Sequence, residues 1–115
     1  SKKQYRIRLN DIDAPESKQA FGNKSKENLK NYIYQKDVVV KYESTDKYGR
    51  ILGTIYYQGK DINLQQVKDG YAWVYRHYSK KQDYIKEEEK ARQERKGLWA
   101  DKNPINPYDF RRKYK

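Results

Sequence analysis

At 115 residues the chain is one domain's worth of sequence, enough for a single modest core. Its 35% hydrophobic content argues against a disordered chain, and its large apolar area comes mostly from aromatic rings, 13 of them Tyr. The formal charge of +11 points to a polyanionic partner, and the absence of cysteine excludes disulfides and thiolate metal sites. With one histidine, any metal has to be held by oxygen, which favours calcium or magnesium. No apolar run approaches the length of a membrane span, and no basic amphipathic helix with a large apolar face is evident, so no membrane partner is expected.

In chain order, Tyr5–Leu9 alternates apolar and basic residues and predicts a strand. The stripe Phe21, Ser25, Leu29 and Tyr32/Ile33 predicts a helix over Lys18–Tyr34. Asp37–Glu43 and Arg50–Tyr57 read as the two strands of a hairpin, turning at Thr45–Gly49, and Gln58-Gly59 form a second tight turn. A short helix is expected over Asn63–Lys68, ended by Gly70, then an extended piece at Ala72–Val74. The longest helix is expected over Lys80–Lys96, closed by Gly97. The tail, with Pro104 and Pro107, reads as an extended strap rather than a helix. Strands early and helices late make this an α+β domain around a small antiparallel barrel or sheet.

Three stretches could carry chemistry. Asp11, Asp13 and Glu16 cluster directly after Arg8, with Pro15 stiffening the turn. Clustered carboxylates and a backbone carbonyl suit a hard cation, and a carboxylate beside such an ion can align or deprotonate water. Alone, the same residues could equally be an acidic turn capping the next helix. In Asp46-Lys47-Tyr48-Gly49-Arg50, Arg50 opens a strand after a turn, where its planar fork could grip phosphate and Tyr48 could stack on a base. An ordinary hairpin tip with a charged rim would look the same. In Tyr71–Tyr78, rings alternate with basic residues: Trp73 reads as core, Tyr78 as the better contact residue, and His77 as a surface residue without a partner. The mixed charges of the long helix, including Glu87-Glu88-Glu89, read as a solvated face without a catalytic role.

The order of these pieces is more specific than any one of them. Arg8 through Glu16, a helix, a hairpin bearing Asp46 through Arg50, then Asp61-Ile62-Asn63, Gly70-Tyr71-Ala72 and Gly97-Leu98-Trp99 resembles the staphylococcal nuclease (thermonuclease) family over nearly the whole chain. The resemblance implies a five-stranded OB-type barrel with about three helices. It implies catalytic roles for Arg8, Glu16 and Arg50, calcium held by Asp13 and the carbonyl of Ala14, and a substrate contact from Tyr48, to which the ring-and-base pattern above adds Tyr78. It further implies calcium ahead of magnesium as the cofactor, DNA and RNA as partners with single strands preferred, and a secreted or periplasmic location. The family's Gly-Asp-Thr-like turn, which bears a second metal-binding aspartate, has no counterpart here. Residues 1–115 are therefore expected to form one family domain that is incomplete at its N-terminal side and open to strand exchange or dimerisation through its sheet edges. The alternatives are a non-catalytic nucleic-acid-binding module on the same fold and a structural domain whose charge is incidental.

Overall fold

The computed structural model describes residues 4–113. The early strand splits around a tight reversal into β1 (Ile7–Leu9) and β2 (Ile12–Asp13), with Asp11 in the left-handed region at φ 69°. β3 (Val39–Thr45) and β4 (Ile51–Tyr57) form the expected hairpin, with a bulge between Tyr42 and Ser44. β1 joins the other edge of β4 in parallel, pairing Arg8 with Leu52. This departs from the purely antiparallel expectation. The connection from β1 to β4 passes through helix α1 (Gly22–Ile33) and is long enough to bring the chain back to the same end of the sheet. The short β5 (Lys60–Asp61) pairs with β4, and β2 forms a separate ladder with β6 (Trp73–Val74). The mixed α+β architecture agrees with the sequence reading.

Among the described residues there are four α-helices, one more than expected. α2 (Ile62–Lys68) is capped by Asp61, whose side chain accepts from Leu64 N at 2.9 Å. α3 (Gln82–Gln93) stops short of the expected Lys96 because Arg95 turns left-handed at φ 54°. The 3₁₀ turn Gly97–Ala100 follows. A Cβ on Gly97 would lie 2.3 Å from the Gly70 carbonyl, and that carbonyl accepts from Leu98 N at 2.8 Å. The fourth helix, α4 (Pro107–Lys113), corrects the expectation of an extended tail. Pro107 occupies the first helical position, where its lost N–H costs nothing and its fixed φ suits the turn. Asn106 Oδ1 accepts from Tyr108 N at 3.0 Å, Asp109 lies in the first turn, and Arg111, Arg112 and Lys113 lie in the last, matching the helix dipole.

One core cluster joins Ile12, Val67, Ala72, Val74 and Tyr84 between the strands, α2 and α3. A second gathers Ala91, Leu98 and Trp99, with Phe21 and half-buried Trp73 against it. Trp73 and Trp99 meet at 4.6 Å between ring centroids, consistent with a packing role for Trp73. Between sheet and helix, buried Asn63 donates to the carbonyls of Asn10 (3.0 Å) and Gly53 (3.2 Å) and accepts from Ile55 N (3.2 Å). This one side chain ties the β1–β2 reversal to β4 and so sets where Arg8 and Asp13 stand.

Glu88 overturns the reading of Glu87–Glu89 as a solvated face. It is fully buried, accepts from Val74 N and from Arg76 Nη2 at 2.6 Å each, and lies 3.4 Å from Arg92. Among the described residues no helix is long and apolar enough to cross a membrane.

Candidate active site

The β1–β2 reversal brings Arg8 and Asp13 to one side of an open cleft of about 690 Å³. Arg8 Nη1 donates to the carbonyls of Leu9 and Ile12 at 2.7 Å each, and Nη2 stands 3.7 Å from Asp13 Oδ1. Burial pulls the Arg8 pKa below its ordinary value against the opposing pull of Asp13, and the charges of Arg50 and Arg111 push the same way as burial. The local fold spends Asp11 elsewhere, as a nearly buried carboxylate paired with Lys81 Nζ at 2.9 Å.

Glu16 follows on a run of turns that leads into α1. Its N–H donates to Gln19 Oε1 at 3.1 Å, and its carbonyl accepts from Gln19 N at 2.9 Å. That carbonyl is seated against Gly22, where a Cβ would come within 2.0 Å of it. The glycine at the start of α1 therefore allows the backbone approach that places Glu16.

Arg50 enters from the hairpin and is pinned by Asp46. One Asp46 oxygen accepts from the backbone N–H groups of Tyr48 and Arg50 at 2.9 Å each, and the other accepts from Arg50 Nε at 2.7 Å. Partial burial works against the Asp46 charge, but these donors outweigh it and hold its pKa below the usual value. The Arg50 guanidinium also lies 5.6 Å from the centroid of Tyr48, which is 60% exposed at the rim.

The cleft thus gathers Arg8, Asp13, Ala14, Glu16, Tyr48 and Arg50 from two separate stretches of chain. Tyr78 lies outside it, in an adjoining hollow of about 100 Å³ shared with Arg8, Leu52 and Tyr75. His77 is exposed, as expected, but not partnerless. Its ring stacks on Tyr108 at 4.1 Å and 30°, joining the β6 side of the fold to α4.

Sequence reasoning missed Arg111. It reaches in from α4 and donates to both Asp13 oxygens, at 2.8 and 3.0 Å, and to Glu16 Oε1 at 2.9 Å. These contacts, the Asp13 hydrogen bond first, raise the Arg111 pKa further above its already high value. The sequence signal was Asn106-Pro107 followed by an acidic and then a basic turn, a helix start with a dipole-matched end rather than a strap.

Among the described residues, no group of three or more His, Cys, Asp or Glu side chains is arranged to hold a metal ion. Asp13 and Glu16 nevertheless fit one face of a hard-cation site. Both are oxygen donors, and the space between them already accommodates a positive group, the guanidinium of Arg111. Asp13 and the Ala14 carbonyl would suit an ion whose other ligands are water and substrate phosphate, with the Glu16 carboxylate beside that space.

A family model described as staphylococcal nuclease homologue matches residues 6–101. The chain belongs to the staphylococcal nuclease family. As a member of it, the chain is 47% identical over 113 residues to an "uncharacterized endonuclease" of Haemophilus influenzae, covering 98% of this chain and 64% of that protein. It is 42% identical over 118 residues to the micrococcal nuclease of Shigella flexneri, covering 93% of this chain and 68% of that protein. An "uncharacterized endonuclease" of Escherichia coli is 42% identical over 112 residues, which cover 96% of this chain and 73% of that protein. The chain therefore spans roughly two thirds of the length of these relatives. The family assignment carries with it the OB-type barrel architecture.

Proposed function

We propose that this chain is a calcium-dependent nuclease that hydrolyses phosphodiester bonds in DNA and RNA with little sequence preference. The observation that carries this reading is the convergence of Arg8 and Arg50 with Asp13 and Glu16 around one open cleft. Arg8 comes from β1 and Arg50 from the turn just before β4, and both are preorganised, one by backbone carbonyls and one by Asp46. Such fixed donors stabilise charge that gathers on phosphoryl oxygens during displacement. Glu16, 39% exposed at the cleft, would orient a water and take its proton. Asp13 and the carbonyl of Ala14 would hold the calcium, which when bound neutralises phosphate charge and fixes the geometry of attack.

Tyr48 and Tyr78, 60% and 55% exposed, flank Arg50 and Arg8 respectively and offer ring faces for unstacked bases, which favours single strands and frayed ends. The excess of lysine and arginine gives affinity that falls with salt. β1 and β3 are the two ends of the strand order β1-β4-β3, so each presents an edge that could take a further strand, from another copy or from additional chain. Location outside the cytoplasm, secreted or periplasmic, rests on the family resemblance alone.

A second reading, a binding module that does not cut, draws on one observation: Arg111 already satisfies both carboxylates. Incubation with single-stranded DNA in calcium, in magnesium and in EDTA separates the two, with Glu16→Gln as control. Cleavage in calcium that is lost in EDTA and falls on the order of a hundredfold or more in the variant supports the nuclease. Salt-sensitive binding without cleavage under any of these conditions overturns it in favour of the module.

A further inference from the structure

We propose that Arg111 is a tethered cation that occupies the Asp13–Glu16 site until a divalent ion displaces it, so that α4 sets the ion affinity of the cleft. This rests on the reading of Asp13 as a metal-holding residue and goes beyond it, to a residue outside the stretch matched by the family model, residues 6–101.

The argument begins with the contacts. Both Asp13 oxygens are taken by a parallel pair of charge-assisted hydrogen bonds, and Glu16 accepts a third from the same guanidinium. The Asp13 side chain is only 6% exposed, so solvent does little to stabilise its charge once that fork leaves. An incoming ion must therefore take the place of Arg111 rather than add to it.

Charge makes the exchange reasonable. With Arg8 and Arg111 beside Asp13 and Glu16, two positive groups balance two negative ones. If a divalent ion replaces Arg111, the same site carries one net positive charge, which suits a phosphodiester anion. Arg111 thus keeps the near-buried carboxylate compensated in the absence of the ion.

The tether is suited to leaving. α4 is a single seven-residue helix, and the Arg111 side chain is 39% exposed. Among the contacts that seat it are the stack of Tyr108 on His77, the buried ring of Pro107, and the hydrogen bond from Gln19 to the Ile105 carbonyl. A contact that opens and closes lowers apparent ion affinity by the fraction of time it is open.

Calorimetric titration of calcium chloride into the wild-type chain, Arg111→Gln and Arg111→Lys tests this, with circular dichroism to verify folding of each. The expected result is at least about tenfold tighter calcium binding by Arg111→Gln, with Arg111→Lys in between because it keeps a charge but loses the fork. In the cation-free state Arg111→Gln should melt at a lower temperature. In the wild type, calcium should shift the Arg111 guanidinium resonance seen by NMR. Equal or weaker calcium binding by Arg111→Gln, or an Arg111 resonance that does not move on saturation, overturns the displacement while leaving the calcium site standing. If neither calcium, magnesium nor manganese binds any of the three proteins, the metal reading itself fails and displacement fails with it.

Discussion

Two carboxylate–arginine clusters in this small domain are built from the same groups and behave in opposite ways. Around Glu88, the carboxylate is fully buried and one oxygen is committed to the backbone N–H of Val74, with Arg76 and Arg92 at the margin. Around Asp13 and Glu16, the side-chain partners among the described residues are guanidinium groups, and the carboxylates line an open cleft and hold a residue from the short helix α4. A backbone partner makes Glu88 a fixed brace between β6 and α3. Among the described residues, the side chains of Asp13 and Glu16 serve guanidinium groups rather than the main chain, which leaves them exchangeable. Carboxylates whose partners can leave are available for chemistry, whereas those serving the main chain are not.

The largest effect that would sharpen this contrast is kinetic. Arg50→Ala should lower the cleavage rate on the order of a hundredfold, while the melting temperature changes little because the side chain is more than a third exposed. A loss of the same size confined to substrate affinity, with unchanged turnover, would make Arg50 a binding residue only. Next comes Glu88→Ala, which leaves the Val74 N–H unpaired in the interior. It should cost about 2–3 kcal/mol of stability by denaturant unfolding, a figure reduced from that of a fully buried pair because Arg76 and Arg92 are about half exposed. Full stability in that variant would erase the distinction drawn between the two clusters.

Gly22→Ala probes the link between scaffold and cleft. Its new Cβ would fall 2.0 Å from the Glu16 carbonyl, so the turn must shift, at about 1–3 kcal/mol. Activity should fall further than that instability alone accounts for, because Glu16 moves with its carbonyl. Comparing rates at a temperature where both proteins are fully folded checks this.

The smallest effect concerns pH. Burial first, and then the Asp61 carboxylate that accepts its hydroxyl at 2.7 Å, push the Tyr84 phenol well above its ordinary value. Burial and Asp69 push Tyr32 up to about 12. Above the ordinary tyrosine pKa of about 10 the unfolded chain loses protons that the folded chain keeps, so stability is full below that pH and falls as pH rises. Tyr84→Phe should flatten part of this alkaline decline in the unfolding midpoint, and an unchanged slope would show that Tyr84 does not contribute to it.

Much of the fold was legible locally. The two hairpin strands, the Asp46–Arg50 turn and the short helix ended by Gly70 follow from strand-forming runs, turn residues and a terminating glycine within a few positions. The misreadings share a cause. In the tail, two prolines were weighed as breakers although Pro107 sits where proline favours a helix start, so α4 and Arg111 were lost together. On α3, three adjacent glutamates looked equivalent, and only the position of β6 decided that Glu88 would be the buried one. The ring on which His77 stacks lies 31 residues further along the chain, at Tyr108, beyond the reach of a local reading.

By itself, the sequence determined the hairpin strands, the first three helices and the basic character, because periodicity and turn chemistry are properties of neighbouring residues, while Arg8, Asp13, Ala14, Glu16, Tyr48 and Arg50 were singled out as a set through the family resemblance. Only the tertiary structure decided that these residues share one cleft while Tyr78 lies in the next hollow, that Glu88 braces the interior, and that Arg111 closes on Asp13 and Glu16. Arg111 stands 98 positions from Asp13, and no local pattern encodes a contact over that separation. It arises when the buried faces of separate elements are packed together and their charged side chains take the partners that packing leaves within reach.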